Sequence, residues 1–123
     1  VNQAIAAAGQ AWGVSIPAQA AGLQALKEEG FPQKTREYIG RQKAILRACL
    51  EEQGFIVYGS QANYLFFNVP KNLAFGEKME EHGILVRSCA NYHGLGEQFY
   101  RIAVKSEQEN ARFVEAVSRI FAE

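Results

Sequence analysis

Two arginines stand out for the chemistry they could do. Arg87 directly follows Ile84-Leu85-Val86, and Arg101 sits inside the run Tyr100-Arg101-Ile102-Ala103-Val104. Each guanidinium is a permanent cation whose planar fork of donors matches a carboxylate or a phosphate. If the two runs pair as strands, both forks can project toward the loop between them. The pattern equally fits a structural role, with each stem lying along a sheet edge and its charged head in water.

The other reactive side chains form no recognisable constellation. His82 and His93 flank an apolar run with no carboxylate at ligand spacing, and a metal site needs three or four ligands. Nothing like a nucleophile elbow surrounds Ser60 or Ser88. There is no Walker-type phosphate loop, no dinucleotide glycine fingerprint behind a strand and no CxxC pair. Cys49 falls in a helical pattern and Cys89 in a Ser-Cys-Ala-Asn loop. The composition reads as cytosolic, where two free thiols are the default.

The elements that must position the arginines are legible in outline. An alanine-rich helix opens the chain and breaks at Gly9, with Trp12 in the loop beyond it. Pro17, at a first-turn position, introduces a helix from about Ala18 to Glu29, stopping at Gly30. A longer helix spans about Gln33 to Gln53, with Tyr38, Ile39, Ile45, Leu46, Cys49 and Leu50 on one face. Phe55–Tyr58 and Tyr64–Phe67 read as a hairpin joined through Gly59-Ser60-Gln61. Asn72 can cap a short helix to about His82, ended by Gly83. Ile84–Val86 and Tyr100–Val104 read as the third and fourth strands. Ser106 and Glu109 form a capping box before a last helix that stripes Phe113, Val114, Val117, Ile120 and Phe121. The order implies an α+β fold: a small, mainly antiparallel sheet of about four strands with helices packed on one face.

Composition limits what such a domain can be. Lys and Arg total 13 and Asp and Glu total 13, so no basic face stands ready for nucleic acid. Hydrophobic residues make up 48%, enough to build one core and too many for a disordered chain. No apolar run approaches the roughly 20 residues that cross a bilayer. A cytoplasmic protein without membrane or nucleic-acid partners is the expectation. The chain opens on Val1 inside a helical pattern, which suggests a piece of a longer protein.

One stretch carries a specific resemblance. Residues 83–105, with the loop Arg87-Ser88-Cys89-Ala90-Asn91-Tyr92, then Gly94-Leu95 and Tyr100-Arg101-Ile102-Ala103-Val104, resemble the C-terminal region of fold-type I, pyridoxal-phosphate-dependent enzymes. Within them the run is most similar to threonine-phosphate decarboxylase of cobalamin biosynthesis, with histidinol-phosphate aminotransferase a near relative. Ser106 and Asn110, the segment from Trp12 to Gly22, and the strand Ala62–Phe67 resemble the same enzymes.

The resemblance implies a C-terminal small domain of the class I/II aminotransferase type over residues 33–123. Residues 1–32 would then be the tail of the large domain and connecting helices. It implies that Arg101 binds the substrate α-carboxylate and Arg87 its phosphate, with Asn63 and Tyr92 as further substrate contacts. It also implies partners: a phosphorylated amino-acid substrate, a missing N-terminal large domain and a second copy in a homodimer.

The family's cofactor lysine and its Gly-x-Arg-x-Gly motif are not recognisable here. Lys27, Lys34, Lys43, Lys71, Lys78 and Lys105 all stand in other contexts. Neither catalytic residues nor bound pyridoxal phosphate is therefore expected in this chain alone, which is expected to be inactive. Two alternatives stay open: a histidinol-phosphate or other class I/II aminotransferase fragment, and a non-catalytic α+β module that binds a small anion.

Overall fold

The computed structural model describes residues 4, 9, 13–70 and 74–122. Trp12, Asn72 and nearly all of the alanine-rich opening lie outside the described residues. Two compact units make up the chain, Val1–Thr35 and Arg36–Glu123.

In the first unit, helix α1 spans Ile16–Ala25. Ser15 caps it, its Oγ accepting from the N–H of Ala18 at 3.4 Å, and Pro17 lies in the first turn. None of the side chains of α1 is buried. The helix ends earlier than its sequence suggests. The Leu26 and Lys27 N–H groups bond back to Gly22 and Gln24, closing a turn after Ala25. Gly30, read as a stop, instead opens helix α2, Gly30–Glu52. Pro32 falls within the first turn of α2, where its missing N–H breaks no intrahelical bond.

The second unit is built on a sheet of order β1-β2-β4-β3. Its strands are β1 (Ile56–Val57), β2 (Tyr64–Asn68), β3 (Arg87–Ser88) and β4 (Phe99–Ala103). All three pairings are antiparallel. Helix α3 (Phe75–Glu81) precedes β3, and helix α4 (Glu107–Ala122) follows β4.

Period-two alternation sorts the two faces. Leu65 and Phe67 of β2 and Tyr100 and Ile102 of β4 are buried on one face. They share a core with Leu46 and Leu50 of α2, Phe75 and Met79 of α3, and Phe113, Val117 and Ile120 of α4. Burying such a side chain is worth about 1.5–3 kcal/mol. Aromatic edges organise the middle, with Phe55, Phe67 and Phe75 packed at centroid distances of 5.3–5.8 Å. The architecture is the α+β sheet with helices on one face that the sequence implied.

One expectation in this unit shifts. Ile84–Val86 is not a strand, and the pairing with β4 begins at Arg87. The Ile84 N–H bonds to the carbonyl of Met79 and the Gly83 N–H to Glu80, with Gly83 at φ +70°. That glycine turn satisfies the end of α3, so the backbone reaches the sheet only three residues later. Helix α3 is entered through Ala74 at φ +48° with no side-chain cap.

Among the described residues no helix is long and apolar enough to cross a membrane.

Candidate functional site

The face of the sheet away from the helices carries the arginines. Arg101 on β4 is half-buried and Arg87 on β3 is exposed. They are direct register partners, and Phe66 of β2 is the partner of Arg101 on its other side. One row across three strands therefore reads Phe66, Arg101, Arg87. Residues directly opposed in an antiparallel pair leave the same face, so the two guanidinium groups share one surface. The Arg101 Cζ lies 4.7 Å from the centroid of the Tyr64 ring. Among the described residues neither arginine has an ion-pair partner.

A cleft of about 750 Å³ opens beside them, lined in part by Asn63, Tyr64, Arg87, Arg101, Lys105 and Arg112. Four of its lining groups are cationic and one, Glu109, is anionic. Lys105 and Glu109 are paired at 3.1 Å, so the cleft keeps an excess of positive charge. Asn63 is exposed, and its carbonyl accepts from the Val104 N–H at 2.8 Å, extending the β2–β4 ladder by one step. Tyr92 is not among the lining residues. It lies in the turn after Cys89, 46% exposed, donating its N–H to the Cys89 carbonyl.

The end of β4 is fixed by a buried amide network. Asn110, 4% exposed, donates to Gln42 Oε1 at 2.8 Å and to the Lys105 carbonyl at 3.0 Å. Its Oδ1 accepts from the Lys105 N–H at 3.1 Å, and the Tyr38 hydroxyl donates to the Lys105 carbonyl at 2.9 Å. Helix α2 and helix α4 thus grip the residue that follows the arginine strand. The capping box at the start of α4 is formed: Glu109 N–H donates to Ser106 Oγ, and Ser106 N–H donates to Glu109 Oε2. The Ser106 hydroxyl and then the Lys105 ammonium hold the Glu109 carboxyl down at about 2.

The remaining candidates serve turns. The Ser60 hydroxyl donates to the Tyr64 carbonyl, and Ser88 Oγ accepts from the Ala90 N–H. Among the described residues no group of three or more His, Cys, Asp or Glu could hold a metal ion. Cys49 and Cys89 are free and buried. Burial, and then the nearby Glu52 carboxylate, push the Cys49 thiol up. Sequence reasoning missed Tyr64, Lys105 and Arg112 as cleft residues. Their approach to Arg101 is set by cross-strand register and by the turn into α4, and no local spacing announces either.

The family model described as aminotransferase class I and II matches residues 1–117. Among curated proteins, the chain is 41% identical over 73 residues to a histidinol-phosphate aminotransferase of Methanocorpusculum labreanum, covering 58% of this chain and 21% of that one. It is 31% identical over 111 residues to a threonine-phosphate decarboxylase of Salmonella typhimurium, covering 89% of this chain and 30% of that one. Among solved structures, the histidinol-phosphate aminotransferase of Clostridium acetobutylicum superposes with a TM-score of 0.81 at 24% identity, over 96% of this chain and 36% of that one. The L-threonine-O-3-phosphate decarboxylase of Porphyromonas gingivalis gives 0.71 at 23%, over 98% and 38%. These structural likenesses bear on the fold. The chain spans less than a third of the length of the two curated relatives.

Proposed function

The chain belongs to the aminotransferase class I and II family, and from that premise we propose that it carries the substrate-anion site of an enzyme acting on a phosphorylated amino acid. Decarboxylation of threonine O-3-phosphate is the first reading. The observation behind it is the Arg87–Arg101 pair, two permanent cations directly opposed with no carboxylate partner among the described residues. Opposed like charges repel, and an anion bridging them reverses that cost.

On this reading Arg101 takes the α-carboxylate and Arg87 the phosphate, while Asn63 offers its amide to the same cleft. A fork held on a sheet strand fixes the orientation of the carboxylate relative to the bond that breaks, which is a positioning contribution to rate. Tyr92, exposed in the turn after Cys89 and outside the lining of this cleft, is the fourth substrate contact proposed.

The family is pyridoxal-phosphate-dependent. A Schiff-base lysine reacts as its neutral amine, which carboxylate and carbonyl partners of the charged form disfavour. Lys105, in the cleft, is paired with Glu109, and Lys43 donates to the Ser60 and Ala62 carbonyls. These residues do not fit as the cofactor's anchor. The reading therefore gives this chain substrate binding, and gives the cofactor to a large domain that completes the site. A second copy in a homodimer is the further partner proposed.

Calorimetric titration with O-phospho-L-threonine tests the reading. Arg101→Ala and Arg87→Ala should each weaken binding by about ten- to a hundredfold, the scale of a lost charge-assisted hydrogen bond. Equal affinity in parent and variants refutes it. The second reading, a histidinol-phosphate aminotransferase, is favoured by the 41% identity over 73 residues. Tighter binding of L-histidinol phosphate than of phosphothreonine would select it.

A further inference from the structure

We propose that Tyr64 is a positioning residue for the anion site, its ring face holding the Arg101 guanidinium over the cleft. The inference rests on the reading of Arg101 as an anion ligand. The 4.7 Å separation of Arg101 Cζ from the ring centroid lies inside the range of about 6 Å over which a ring face attracts a cation. Register creates the contact. Tyr64 is the partner of Ala103, which makes it the diagonal neighbour of Arg101 on the same face of the sheet.

Nothing else among the described residues holds this guanidinium. It has no carboxylate within ion-pair distance, and Arg87 opposite repels it. A carboxylate partner would orient Arg101 by occupying its donor fork, in competition with substrate. A ring face orients the cation from the side and leaves the N–H edge free for an incoming anion.

Tyr64 is itself anchored. Its carbonyl accepts from the Ser60 hydroxyl, and Lys43 Nζ donates to the Ser60 and Ala62 carbonyls at 2.7 and 2.9 Å. Helix α2 therefore fixes the β1–β2 turn, the turn fixes Tyr64, and the ring fixes Arg101. Ring and guanidinium line the same cleft.

Two variants of the whole 123-residue chain test this. Y64F keeps the ring face, and Y64L keeps a strand-compatible apolar residue without it. The Arg101 Nε–Hε resonance should show a ring-current shift in the parent and in Y64F and lose it in Y64L. The same resonance position in all three overturns the proposal. In titrations with O-phospho-L-threonine, which carries the carboxylate assigned to Arg101, Y64L should bind about two- to fivefold more weakly, the scale of a partly exposed cation–π contact, with Y64F at the parent value. A parent that binds phosphothreonine and a Y64L that binds it equally well overturn the positioning role. A parent that binds no phosphothreonine overturns instead the anion-site reading on which the role depends.

Discussion

Arg87 and Arg101 are register partners on β3 and β4, so two side chains of like charge leave the same sheet face directly opposite one another. Such a juxtaposition of like charges is destabilising. The ligand-free fold therefore carries a repulsion that only an anion, salt or substitution can remove.

Replacing Arg87 by Gln should raise the thermal midpoint of the ligand-free protein at low salt, by a few degrees at most. The gain should shrink as salt rises toward 1 M, where the screening length is about 3 Å. Added phosphate should stabilise the parent more than the variant. Scanning fluorimetry across a salt series reads all three, and a lower midpoint for the variant at low salt contradicts the repulsion.

Asn110→Ala removes three hydrogen bonds and leaves Gln42 Oε1 and both backbone polar groups of Lys105 without that partner. Stranding buried groups costs about 1–3 kcal/mol each, less where the backbone relaxes to water. Urea unfolding should show a loss in that range. A loss below about 0.5 kcal/mol would mean that the network does not tie α4 to α2.

The Glu109 carboxyl sits at about 2 in the folded chain against an ordinary 4.5, first through the Ser106 hydroxyl and then through Lys105. A depressed carboxylate stabilises the fold fully above the unfolded value and loses that contribution as pH falls through the folded one. The window is therefore about 4.5 down to about 2. Glu109→Gln should flatten the acid limb of a helicity-against-pH curve across that window. An unchanged limb would show that the capping box does not form in solution.

Cys49 is 7% exposed, and burial together with Glu52 pushes its thiol up, so its thiolate is scarce at neutral pH. Iodoacetamide should label it only at the rate of unfolding. Mass spectrometry after graded urea exposure follows this, and fast labelling under native conditions would contradict the burial.

What the sequence disclosed was mostly local. The capping box at Ser106 and Glu109 needs only a spacing of three residues, and the β1–β2 hairpin needs two short apolar runs and a turn. The runs Tyr64–Phe67 and Tyr100–Val104 likewise announced two strands, while the sorting of their residues into a core face and an arginine face came from the burial pattern of the structure. Ile84–Val86 misled because β-branched residues mark strands, yet the Ile84 N–H was already engaged in closing α3. Gly30 misled because a glycine can end one helix or begin the next, and Pro32 behind it suits the latter. The arginine pair could be suspected from the chain, but its direct opposition depends on ladder register. The Tyr64–Arg101 contact joins residues 37 positions apart, as the difference between their numbers shows, and no periodicity reaches that far.

The sheet's two outer strands, β1 and β3, are each two residues long. A long bare edge invites another molecule's strand to pair with it, the route by which β-proteins aggregate. Here each outer rung stops almost as soon as it begins, and the β3 rung carries a charged Arg87. The same residue proposed to offer its fork to an anion thereby guards the sheet against self-association, so neutralising it to relieve the local repulsion should also make the protein more prone to aggregate at high concentration.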